Sequence, residues 1–142
     1  MEITDVRRRV RAAIEGARKE SGERRLRSDA ASKAYATFLE QQAVPAFRAV
    51  ASALAGEGLR FKVFTPAESV RLASDSSAED FIELFLDTTQ DPPAVVGRTS
   101  RGRGRRSISS ERQVRAGTDV AQLTEEDVVQ FLVSEIGAFA ER

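Results

Sequence analysis

The sequence predicts an α+β fold: N-terminal helices, an antiparallel meander of four or five strands, and a C-terminal helix packed on the sheet. Three observations predict it. Apolar residues recur at helical spacing from Ile3 to Leu54, at period two from Leu59 to Val114, and at helical spacing again from Val128 to Phe139. The connections between the strand-like segments are too short for parallel crossovers. Helices that precede and follow the strands, rather than alternating with them, belong to the α+β class. At 142 residues the chain suits one core of ordinary size.

The first element is helical. Ile3, Val6, Val10, Ala13 and Ala17 are spaced 3, 4, 3, 4, and Arg7, Arg8, Arg9, Arg11 and Arg18 fall outside that seam. The seam lasts about two heptads, fewer than the three or four that sustain a coiled coil. It stops at Glu20, with Gly22 just beyond. Residues 1–27 are therefore expected to form a basic amphipathic helical arm, and residues 28–142 a single α+β domain. This helix is expected to dock on its own chain or on a partner protomer rather than stay a frayed, solvated arm; self-association is favoured, with Ile3, Val6 and Val10 as the oligomer contact.

A second helix is expected from a cap at Ser28 or Asp29, whose side-chain oxygens accept from the free N–H groups of a first turn. Tyr35, Phe38, Leu39, Ala43, Phe47, Val50 and Leu54 form its apolar stripe. Pro45 lacks an N–H and clashes with the preceding turn, so it should kink the helix or begin a new one. Gly56 and Gly58 end it.

Leu59, Phe61 and Val63 then alternate with Arg60, Lys62 and Phe64, as a strand does. Thr65-Pro66-Ala67-Glu68 is a turn. Val70 and Leu72 mark a short second strand. Phe81 to Thr88 is a strong third, apolar on both faces and so expected at the centre of the core. Gln90-Asp91-Pro92-Pro93 turns the chain into a strand that starts at Ala94. Gly102-Arg103-Gly104 makes the next turn, and Ser107 to Val114 returns as a polar edge strand. Thr124 and Asp127 form a capping box at the head of the last helix, where Glu125 and Glu126 suit the positive end of the helix dipole. Val128, Phe131, Leu132, Ile136 and Phe139 are its buried stripe. Phe38, Phe47, Phe61, Leu84, Phe85, Phe131 and Ile136 are expected to share one core.

Composition limits the chemistry. The apolar fraction is 41% and the charged fraction 31%, the balance of a folded domain. Cys and His are absent, which removes disulfides, thiol nucleophiles, His bases and the usual zinc and haem ligands. No Lys stands in a Ser-x-x-Lys, so a Ser-Lys hydrolase has no support either. Gly97 and Gly102 have the spacing of a phosphate loop, but Arg103 and Gly104 stand where its Lys and hydroxyl belong. Glu79, Asp80, Glu83, Asp87 and Asp91 could ligate magnesium. The Lys that many carboxylate nucleases need two residues after an acid is missing, because Arg60 precedes Lys62 at that spacing. A magnesium-dependent phosphodiesterase is the distant alternative. No enzyme, cofactor or metal site is expected.

Charge is segregated although the formal net charge is zero. The balance is +4 over residues 1–28, −6 over 66–91, +6 over 98–115 and −5 over 119–142. Residues 1–28 are charged throughout and leave no apolar stretch for a signal peptide, and no apolar run approaches the ~20 residues of a span. A cytoplasmic protein without a membrane partner is expected. Arg98, Arg101, Arg103, Arg105 and Arg106 lie in a Gly-containing hairpin, 98–106, that could grip phosphates or carboxylates. Pairing across Pro92-Pro93 would bring Glu83 and Asp80 near Arg98 and Arg101 and neutralise part of the patch. The expected function is a non-enzymatic protein–protein interaction or regulatory module, a subunit of a larger assembly. The alternative is a nucleic-acid-binding module that contacts phosphate backbone through the hairpin.

Overall fold

The computed structural model describes residues 2–140. Its order is α1 (Ile3–Phe38), a π-helical turn (Leu39–Ala43), α2 (Val44–Gly56), β1 (Phe61–Phe64), β2 (Val70–Ser74), β3 (Phe81–Asp87), β4 (Ala94–Arg103), β5 (Arg106–Gln113), a 3-10 turn (Val120–Gln122) and α3 (Glu125–Ala140). The strands form one antiparallel meander in the order β1-β2-β3-β4-β5.

The N-terminal region differs from the sequence reading in one respect. There is no break at Gly22 and no cap at Ser28 or Asp29, because all three lie inside α1, which runs for 36 residues. Gly22 meets nothing within 4 Å. A glycine in a solvated helix costs only about 1 kcal/mol relative to alanine, too little to stop a helix whose far end is anchored. The anchor is the buried pair Tyr35 and Phe38. A bidentate bond from Arg27 to Asp91, at 2.9 and 2.8 Å, ties the same helix to the β3–β4 turn.

Pro45 is accommodated by the π-helical turn just before it. The Val44 N–H reaches back five residues to the Leu39 carbonyl, so the turn is wider by one residue where the proline ring must fit. That residue also corrects the face. At 3.6 residues per turn each position rotates by about 100°, and one extra residue returns Phe47, Val50 and Leu54 to the side of Tyr35 and Phe38. All five are buried in one cluster.

The helices cover one face of the sheet. Its buried side chains include Val70, Leu72, Ile82, Leu84 and Val95, packed with Phe131, Leu132 and Phe139 of α3. Phe61 and Ile136 pack against this cluster partly buried. Phe131 sits where β4 has Gly97, and a Cβ there would overlap the ring. Arg112, the register partner of Gly97 on β5, lies over the ring at 4.5 Å and bonds Glu135 at 2.6 Å. The capping box of α3 forms in both directions, Asp127 N–H to Thr124 Oγ1 at 3.2 Å and Thr124 N–H to Asp127 Oδ2 at 3.0 Å.

Phe85 departs from the expected core. The register Leu84↔Gly97 and Phe85↔Val96 puts it on the sheet face away from the helices. There the Arg98 guanidinium lies 5.1 Å from its ring centroid, as Arg71 lies 4.0 Å from that of Phe81. β3 is central in the sheet, but its second face is roofed by arginines rather than by a second apolar layer.

Asp91 titrates with consequence. The Arg27 guanidinium beside it holds its carboxyl below the usual carboxylate range. Such a group contributes stability above its unfolded pKa and loses it as pH falls through the lower folded value. Amides of residues 20–30 should therefore exchange faster as pH drops below the ordinary Asp range near about 4, after correction for intrinsic exchange. Asp91→Asn should show the same looseness at neutral pH.

Candidate functional site

The five hairpin arginines do not form one patch. Arg98 projects from the face away from the helices, where its register partners are Glu83 and Glu111. It bonds Glu111 through Nε at 2.8 Å. With Arg71, paired to Glu83, it makes a row of alternating charge across four strands. Arg101 lies on the helix side and donates to the Ala138 carbonyl in the last turn of α3 at 3.2 Å, where a cation also suits the helix dipole. Arg103, Arg105 and Arg106 stand exposed at the tip. The tip is a two-residue turn, Gly104-Arg105, with φ +65° at Gly104. A positive φ at the first central position is what glycine supplies in such hairpins.

The carboxylates considered for magnesium are dispersed. Glu83 pairs with Arg71. An Asp80 oxygen accepts the Gly102 N–H at 2.8 Å. Asp87 accepts the Thr89 N–H and hydroxyl and the Gln90 amide, bonds that lower its pKa. Asp91 is held by Arg27. Among the described residues no group of three or more potential ligands converges.

The largest unpartnered feature is the N-terminal part of α1. Residues 2–27 are exposed except for the half-buried Asp5. Ile3, Val6 and Val10 lie on one side of it, 72%, 38% and 52% exposed, and Ile14 joins them at 45%. Arg7, Arg11 and Arg18 border this stripe with Glu15. The 3–4 seam count passes over Ile14 in favour of Ala13. A count by full turns finds it, because Ile3, Val10 and Ile14 stay within about 20° of one line on a straight helix.

A second feature lies farther along the same helix. A groove of about 470 Å³ opens between α1, the β1–β2 turn and the end of β3. Tyr35, Leu39, Val44 and Leu86 give it an apolar floor, with Glu40 and Glu68 among its lining residues. The Tyr35 hydroxyl donates to the Glu68 carbonyl at 2.6 Å, and Glu68 takes the left-handed conformation at φ 59°. Burial raises the Tyr35 pKa, so it remains a donor at any ordinary pH. Nothing in the local sequence marks this groove, since it needs the β1–β2 turn to fold back on the helix.

Comparison with protein-family models, with curated proteins and with solved structures finds no match to this chain. No helix among the described residues is long and apolar enough to cross a membrane.

Proposed function

We propose that this protein is a non-enzymatic interaction module, a subunit that assembles with protein through the N-terminal half of α1. The observation that carries the reading is the exposed stripe Ile3, Val6, Val10 and Ile14 on a helix that leaves the body of the domain. Isolated helices are marginal in water and draw most of their stability from packing an amphipathic face. This stretch also contains Gly16 and Gly22, with nothing within 4 Å of either. A covering surface would supply what the helix lacks alone.

The test is the combined substitution of Ile3, Val6, Val10 and Ile14 by Ser. The parent should sediment above its 15.5 kDa chain mass, or retain a protein from its source lysate. The variant should lose that association while its body melts within a few degrees of the parent. Identical mass and identical bound proteins for both would overturn the reading.

The exposed tip arginines favour a second reading, contact with nucleic-acid backbone. Only three of the five hairpin arginines project there, so the contact would be small. Backbone binding releases about one counterion per neutralised phosphate. Replacing Arg103, Arg105 and Arg106 by Ala should then flatten the salt dependence of binding by about two to three units. An unchanged slope, or no binding by the parent at low salt, removes this reading.

A further inference from the structure

We infer that the partner surface is a second copy of this chain, paired antiparallel along α1 about a two-fold axis at Ser21, with each arm seated in the other copy's groove. The inference rests on the arm being an interaction surface and adds what covers it.

Three observations carry it. The first is length. Eighteen residues separate Ser21 from Ile3, and eighteen separate Ser21 from Leu39. Eighteen residues are five full turns, about 27 Å. Ile3, Ser21 and Leu39 therefore lie on one line of a straight helix, with the arm's stripe at one end and the groove's floor at the other. A two-fold axis at Ser21 brings each end onto the other end of its partner, the self-complementary arrangement of an isologous dimer.

The second is the pairing it produces. In this register Ile3 meets the partner's Leu39, Val10 its Ser32 and Ile14 its Ser28, with Arg7 beside its Tyr35. Ile3 and Val10, more than half exposed, would cover the partly buried Leu39 and the groove beside it. At the crossing stand Ser21 and Ala17, whose small side chains let two helices approach closely. On the middle of this line Ser21 and Arg25 are exposed, and with the half-buried Ser28 they border a cleft against the β3–β4 turn.

The third is charge. The stripe is bordered by Arg7 and Arg11, whereas the groove is lined by Glu40 and Glu68, with Asp29 one level nearer the axis. Antiparallel pairing sets the basic end against the acidic end twice per dimer. Parallel pairing would set the basic ends together. The chosen register also brings Arg18 toward Arg25, a repulsion that long, solvated side chains relieve by splaying.

Because the chain has no cysteine, introduced thiols report the pairing in the full-length protein. Val10→Cys and Ser32→Cys, mixed in equal amounts with a tag on one, should give a disulfide-linked heterodimer under mild oxidation. Neither alone should give a homodimer, whereas Ser21→Cys alone should. Arg7→Glu should weaken the dimer constant about tenfold or more, since like charges across an interface are costly, and adding Glu40→Arg and Glu68→Arg should recover most of it. A homodimer from Val10→Cys without a heterodimer would overturn the antiparallel register. A full chain that stays monomeric at the highest concentration reached, yet loses a bound protein on the four-Ser substitution, would overturn self-pairing and leave the interaction reading standing. A monomer with no arm-dependent association of any kind would overturn both.

Discussion

Phe131→Ala is expected to lower the unfolding free energy by about 3–5 kcal/mol, the range for a phenylalanine removed from a core. Phe131 is 2% exposed, its ring packs against Gly97, and the Arg112 guanidinium lies over it. The truncation opens a cavity and strips Arg112 of the ring it covers. Arg112 keeps its bond to Glu135, so the neighbouring surface should hold and the loss should come from the core. Chemical denaturation of both proteins measures it. A loss below half a kcal/mol would mean the ring is not packed as described.

Gly97→Val should be damaging from the opposite side, by at least about 1–3 kcal/mol, because overpacking forces neighbours off their rotamers. In a strand valine would ordinarily be an improvement, which makes the sign informative. The two changes should not add. With Phe131 truncated, the valine side chain enters the space the ring left, so the double variant should lose clearly less than the two single losses together. Additive losses would place Gly97 and Phe131 out of contact.

The relation between these two residues was beyond reach of the sequence. Gly97 and Phe131 are far apart in the chain, and their meeting depends on the β3–β4–β5 register and on the angle at which α3 crosses the sheet. What could be read was local. The capping box of Thr124 and Asp127 and the stripe of α3 follow from spacing alone, and both are present. An antiparallel meander of four or five strands follows from period-two alternation interrupted by turn residues, and five are present. Local rules failed where tertiary anchoring decides. Gly22 and Ser28 resemble a stop and a start, but Tyr35, Phe38 and the Arg27–Asp91 pair hold one helix through both. Phe85 looks like core by composition, and only the pairing shows it facing away from the helices.

The hairpin arginines teach the same distinction. Five of them within nine residues suggest a basic patch, yet strand alternation sends Arg98 and Arg101 to opposite faces. The acids that Arg98 meets come from β3 and β5. The arm is the reverse case. Its stripe is legible in sequence, whereas the groove on the same helix line appears only once the β1–β2 turn folds against Tyr35.

Amide hydrogen exchange over residues 3–20, followed as a function of protein concentration, tests most directly whether α1 is covered by a second copy. Uncovered, this stretch is a marginal helix whose amides open with almost no free-energy cost. Expected is protection that is strong in concentrated protein and falls on dilution, together with protection around Ser32 to Glu40 that falls in parallel. Rapid exchange of residues 3–20 at every concentration, with the body of the domain protected throughout, would contradict it.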